Sequence, residues 1–549
     1  MRSRDKFIVV LLIGVVAAAT IAAFASANSA NSAPAANGGT YSEGVVSPAP
    51  PQTFDPLFAA TQAERDVSAL LFSGLTRFDQ RGIVVRDLAT DFSSSEDGKT
   101  WTFTIRSDAR WHDGAPVSAE DVLYTVGVAQ DPSYRGPYAG TFAGAKVEAL
   151  DERTVRFTLP DVFAPFLEAS TMPLLPAHLL RDVAAAALAR DSFNTRPIGT
   201  GPFRFDSIDE TRITLVRNDA YYRDAPERTR PYLDKLVLRL FPDANAAVQA
   251  LARGEVQGMG GLSTDDADRV KRVRDVAVSY FPSDEVTVLY FNLAPDHPTF
   301  RDRVVRLAIA SAINRQRMVQ LVTGGHASIS DEPVSPSSWA YVSTSDLRPR
   351  RYMPNDAITL LQEADWVDHD GDGVRDKNGV ALRFSLVTND DPARVATVQQ
   401  IATDLDAIGM DVRIDVVSFR ELVGTRARER AFDAMVLTVS TGMDPDPYTF
   451  WHSSQAKDPG LNFTSYATLA MDRALEQARR TLDTAQRRQL YEQVFTQLRD
   501  DAPAVYLYFA DYVYAVDRSV RGVRIAPLSD PSGRFWSVDD WYVRTVAQE

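Results

Sequence analysis

Two short stretches concentrate the groups that could hold an ion or a solute. In the first, Asp368-His369-Asp370-Gly371-Asp372-Gly373-Val374-Arg375-Asp376, carboxylates fall at positions 1, 3, 5 and 9 of a calcium-type loop, with glycine at position 6. Oxygen ligands at alternate positions can wrap one hard cation, which makes Asp368, Asp370, Asp372 and Asp376 a calcium candidate. Position 12 is Gly379 instead of a bidentate glutamate, so the expected affinity is weak. A solvated Asp-Gly turn accounts for the same residues. The second stretch, Ser440 to Trp451, carries Asp444 and Asp446, each followed by proline, and then Tyr448 and Trp451. Asp before Pro starts turns, and its side chain bonds nearby backbone amides, so turn chemistry is one reading of both. Aromatic rings with a polar edge suit the wall of a half-wet pocket; burial in a core is the other reading of Tyr448 and Trp451. Trp339 and Tyr341 stand in a Pro/Ser-rich loop, Pro333 to Thr344, where an aromatic is more informative than in a helix.

Several reaction classes lack their residues. There is no cysteine, hence no disulfide, thiolate metal site or thiol nucleophile. None of the six histidines falls in an HExxH pair. No G-x-S-x-G elbow or Walker A loop occurs, and Gly258-Met-Gly-Gly261 is too short for a nucleotide fingerprint. Paired carboxylates in a cleft could hydrolyse glycosides, but acidic residues are too plentiful for that signal to weigh much. A net charge of −14 argues against nucleic-acid binding. Nothing calls for a cofactor.

The elements that must position these groups need a large frame. At 549 residues, with 45% hydrophobic and 24% charged, the chain is globular and too long for one core. Alternation predicts strands at Trp101–Arg106, Thr154–Leu159, Ile213–Arg217 and Lys235–Leu240. Three-to-four spacing predicts helices over 302–321, 356–364, 392–408 and 469–498. In the last, Leu475, Ala478, Leu482, Leu490, Val494 and Leu498 mark one buried stripe, broken near Asp483-Thr484. Ser118 reads as an N-cap, with Glu120 and Asp121 complementing the first turn. At the N-terminus, Arg2, Arg4 and Lys6 precede an apolar run from Phe7 to Ala25 and an Ala25-Ser26-Ala27 site. Residues 1–27 read as an export signal, cleaved or kept as an anchor, and 28–38 as a flexible tether.

Ordered blocks then point to a family. Glu96-Asp-Gly-Lys-Thr-Trp-Thr-Phe-Thr-Ile-Arg106, Trp111-His-Asp-Gly114 and Ser118-Ala-Glu-Asp-Val122 come first. Pro197-Ile-Gly-Thr-Gly-Pro-Phe203, Arg217-Asn-Asp-Ala-Tyr-Tyr222 and Leu251-Ala-Arg-Gly-Glu-Val256 follow. Phe291-Asn-Leu293, Val305-Arg-Leu-Ala-Ile309 and Asp500-Asp-Ala-Pro-Ala-Val-Tyr-Leu-Tyr508 complete the series. Together they resemble the family 5 extracellular solute-binding proteins, the dipeptide- and oligopeptide-binding components of ABC importers.

The resemblance implies an α/β, two-lobed periplasmic-binding-protein-like fold. Lobe I comprises 39–60, 190–283 and 507–549, with a subdomain, 61–189, inserted in it. Lobe II is 284–506, and the chain crosses between lobes near Ser283–Phe291 and Val505–Phe509. It implies a non-enzyme, a monomer outside the cytoplasm, that delivers a small peptide to an ABC permease and its ATPase. It also implies a ligand-amine carboxylate before the Asp-Pro turn. Here Met443 occupies that position and Ser440 the position of the usual aromatic; Asp444, one residue on, can serve if the loop shifts. The expected ligand residues are therefore Met443, Asp444, Asp446, Tyr448, Trp451, Trp339 and Tyr341. The departure at Met443 keeps a non-peptide solute open: an oligosaccharide, a metal chelate or an opine-like compound. A tethered sensor or chaperone without an importer is a further alternative.

Overall fold

The computed structural model describes residues 37–223, 231–342 and 350–544. The export signal, the tether up to residue 36, and Ser343 and Thr344 lie outside the described residues. Among the described residues no helix is long and apolar enough to cross a membrane.

Three sheets organise the chain. The first has seven strands in the order Val276–Phe281, Tyr512–Asp517, Gly258–Gly260, Thr40–Val46, Lys235–Phe241, Arg212–Arg217 and Phe203–Ile208. Its centre is parallel, Tyr41 opposite Leu236, a pairing that needs a long connection between the strands. Part of that connection forms a four-stranded antiparallel sheet, Ala89–Ser94, Thr100–Ile105, Thr154–Thr158 and Lys146–Ala149 in that order. Trp101, Phe103 and Ile105 alternate into its core with Val155 and Phe157, as their period of two requires. Helix Ala119–Gln130 contributes to the same core. Asp121 accepts from Ser118 N at 2.8 Å and Trp111 Nε1 at 3.2 Å, so the first-turn carboxylate expected from the sequence also anchors a buried indole.

The second sheet runs Ala327–Ser328, Ala504–Ala510, Glu285–Phe291, Ala434–Ser440, Arg383–Asn389 and Asp411–Val417. Its central strand is buried on both faces. Val286, Val288 and Tyr290 enter one core, and Leu289 and Phe291 the other. The chain passes between the two large sheets at two places, from Phe281 to Glu285 and from Ala510 to Tyr512.

One helix expectation and one stripe residue need correction. The run 302–321 is two helices, Arg303–Ala312 and Arg315–Thr323, because Asn314 leaves the helix and caps the second by accepting from Arg317 N at 3.0 Å. The run 469–498 breaks at the expected place, into Leu469–Arg479 and Thr484–Asp501, with Asp483 accepting from Gln486 N at 2.8 Å. Leu482 thereby falls in the connection and is 39% exposed, outside the buried stripe.

Candidate ligand-binding cavity

Helix Gln62–Leu71 places Arg65 and Phe72 on one wall of a cavity of about 1000 Å3. The hairpin of Thr76–Phe78 and Val84–Arg86 contributes Arg77 and Phe78, and the C-terminal turn Pro531–Phe535 leads to Trp536. From the side of the second sheet, Met443 reaches in. Its Cε leaves no room for a Cβ at Gly82, whose φ of +74° suits glycine in the hairpin turn.

Met443 sits in the loop that follows Ala434–Ser440, and two carboxylates clasp that loop. Ser440 Oγ donates to Asp284 at 3.0 Å, at the crossing between the sheets. Asp444 N donates to Glu168 Oε2 at 3.0 Å, from the region of the four-stranded sheet. Burial and then the Asp444 charge push Glu168 up to about 8. Burial pushes Asp284 up to about 7. Ala164 N donates to Arg479 O at 2.7 Å, and Arg480 pairs with Asp161 at 3.0 Å. These contacts hold the loop of Met443 against the first half, beside the cavity.

Of the seven residues expected at the ligand, only Met443 lines this cavity. Asp444 pairs with Arg487 at 2.6 Å, and its Oδ1 is buried without a partner. The Arg487 guanidinium lies 4.4 Å from the Trp339 ring. Asp446 pairs with Arg479 at 2.6 Å and accepts from Tyr448 N at 3.1 Å. Tyr448 lies under the Arg479 guanidinium at 3.6 Å and stacks on His452. Trp451 is 2% exposed and packs edge-on against Tyr466 and Tyr506. The Tyr341 carbonyl accepts from Arg488. Four of the seven therefore meet through two arginines on the paired helices Leu469–Arg479 and Thr484–Asp501, an arrangement that fixes the loop carrying Met443. The arginines lie more than thirty residues from their aspartates, at a distance no local spacing signals.

In the acidic loop, Asp368, Asp370 and Asp372 bring carboxylate oxygens within 4.8 Å of one another. Each also serves the turn: Asp368 accepts from Gly371 N and Gly373 N, Asp370 from Asp372 N, and Asp372 from Val374 N. Asp376 faces the His369 ring instead, 3.1 Å away.

Known proteins share this frame. The family model for bacterial extracellular solute-binding proteins, family 5, matches residues 84–460. The oligopeptide-binding protein AppA of Bacillus subtilis is 30% identical over 505 residues, covering 90% of each chain. Its structure in complex with a nonapeptide superposes with a TM-score of 0.76, over 93% of this chain and 100% of that one. NikZ of Campylobacter jejuni in complex with Ni(L-His), 25% identical, superposes with a TM-score of 0.75 over 92% of this chain and 99% of that one. With a family model spanning most of its length and these relatives aligned nearly end to end, the chain belongs to the family 5 bacterial extracellular solute-binding proteins.

Proposed function

We propose that the chain is the extracytoplasmic capture component of an ABC importer and that it closes on peptides. The observation that carries this reading is a partly open cavity in the first half, over which Met443 of the second half reaches. At about 1000 Å3 it lies at the upper end of the range for small-solute sites. Lobe I is taken as 39–60, 190–283 and 507–549 with the insertion 61–189, and lobe II as 284–506. The two adjacent crossings then serve as the hinge. The likeness to the oligopeptide-binding protein of Bacillus subtilis supports a peptide ligand. Capture and release break no bond, so the chain works as a binder and not as an enzyme. It acts as a monomer on the outer side of the membrane, exported by residues 1–27, and hands its cargo to a permease and ATPase.

A non-peptide solute is the second reading, favoured by one observation. The Asp444 carboxylate, the nearest substitute for an amine partner, is already neutralised by Arg487. Thermal-shift measurement on ligand-stripped protein separates the readings. Di- to hexapeptides are expected to stabilise the fold, by about 2.7 kcal/mol at one hundred times the dissociation constant. If no peptide stabilises it and an oligosaccharide, metal chelate or opine-like acid does, the second reading replaces the first.

A further inference from the structure

Four arginines line the cavity: Arg65, Arg77, Arg135 and Arg223. Three are occupied. Arg65 pairs with Asp530 at 2.8 Å, Arg223 pairs with Asp87 at 2.5 Å, and Arg135 donates to the carbonyls of Pro132 and Tyr134. Arg77 has no hydrogen bond or ion pair among the described residues, and its Nε is buried without an acceptor. Asp87 is taken by Arg223 and by the Tyr222 hydroxyl, the latter at 2.7 Å. Burial, and then the neighbouring Arg223 cation, disfavour charge on Arg77; Asp87 and Asp539 act the opposite way, more weakly.

A guanidinium does not lose its proton in proteins, so Arg77 stays charged in a place that costs it hydration. Its position is held from below. The Trp536 ring lies 5.5 Å from the guanidinium carbon, and the indole N–H donates to Phe78 O at 2.8 Å, which fixes the ring beside the hairpin. A planar donor fork, supported by an aromatic ring and lining the cavity, matches a planar oxyanion.

We propose that Arg77, supported by Trp536, is the anion anchor of the cavity, and that it receives an oxyanion of the captured solute. Resting on the assignment of this cavity as the ligand site, it specifies that the cargo is an acid. In a peptide the group is the C-terminal carboxylate; a free carboxylic acid or a phosphate offers the same chemistry.

Calorimetric titration of the full chain, refolded to strip bound ligand, tests this. The probes are tri- to nona-alanine as free acids, the same peptides as C-terminal amides, citrate and inorganic phosphate. Wild type should bind the acids roughly tenfold to a hundredfold more tightly than the amides, as for hydrogen bonds to a charged partner. Arg77→Met should abolish that preference, with the acids weakened to the level of the amides. Arg77→Lys, which keeps the charge but loses the fork, should fall between. If only citrate or phosphate binds in an Arg77-dependent way, the anchor stands and the peptide reading falls. Equal binding of acid and amide by wild type overturns the anchor. So does an equal loss of both in Arg77→Met, or no Arg77-dependent binding of any probe.

Discussion

Glu168 is the residue whose ionisation most directly reports closure. It lies near the four-stranded sheet, half-buried, where its carboxylate accepts from a backbone amide and faces a like charge on the opposing loop. A carboxyl whose pKa is raised in the closed, folded form takes up a proton there that it lacks when exposed. The stability it contributes is therefore fully present below the ordinary glutamate pKa and is lost as pH rises through about 8. Asp284, raised to about 7, acts in the same direction. Glu168→Gln keeps the shape and removes the ionisation. Its melting temperature relative to wild type should rise steadily from pH 5 to 8.5, by about 1–3 °C. A difference that does not change with pH would remove Glu168 from the closure contact. The sequence marks this loop, since Asp before Pro starts turns and the pattern occurs twice in Asp444-Pro445-Asp446-Pro447. It does not show that Arg479 and Arg487 fill both carboxylates, because those partners arrive by tertiary packing. Arg77 was invisible for the same reason: an arginine is distinguished by what it lacks, and only the folded neighbourhood shows that.

At the scale of elements, a buried charge cluster ties three segments of the first sheet's lobe. Arg534, beyond strand Tyr512–Asp517, pairs with Glu43 on strand Thr40–Val46 and with Asp66 on helix Gln62–Leu71, each at 2.5 Å. Tyr41 and Tyr514 also donate to Glu43. Removing the cation leaves two carboxylates buried with their charge uncompensated. Arg534→Met should cost about 3–5 kcal/mol, read as a lower urea midpoint. Restoring neutrality with Glu43→Gln and Asp66→Asn should recover part of the loss; an unchanged midpoint in Arg534→Met would show the cluster to be dispensable. Elements whose signal is local were legible. Alternation placed four strands to within about a residue, because burial on one face imposes a period of two. The helix over 302–321 was misjudged because its apolar spacing continues across Asn314, where the cap ends it. The buried Glu43 reads in sequence as an ordinary strand acid, since its partner lies almost five hundred residues away.

For the whole molecule, the question is what holds the two halves together over the cavity. Beside the Met443 loop the contacts are a main-chain bond from Ala164 to Arg479, Arg479 over the Phe163 ring, the clasp of Glu168 on Asp444 N, Met443 over Gly82, and the Asp161–Arg480 pair; near the crossings Thr264 Oγ1 donates to Val322 O at 3.3 Å and the Tyr280 and His326 rings stack. The Asp161–Arg480 pair is solvent-exposed on both sides, and such a pair is worth about 0–1 kcal/mol. Burial of the cavity's apolar walls adds to these contacts, and the freedom of two crossing segments opposes them. A solute that binds the closed form better than the open one shifts the molecule toward closure by that difference in affinity. Small-angle scattering of ligand-stripped protein should therefore give a radius of gyration above the ~24 Å expected for a compact chain of this length, falling toward that value on saturation with a stabilising ligand. Asp161→Arg places a cation opposite Arg480 and should shift the free form further open. It should weaken ligand binding severalfold, and it also removes the Asp161–Lys99 pair at 3.5 Å within the first half. Equal radii with and without a tightly bound ligand would mean that the cavity is permanently enclosed, and solute would then have to enter by a route other than hinge opening.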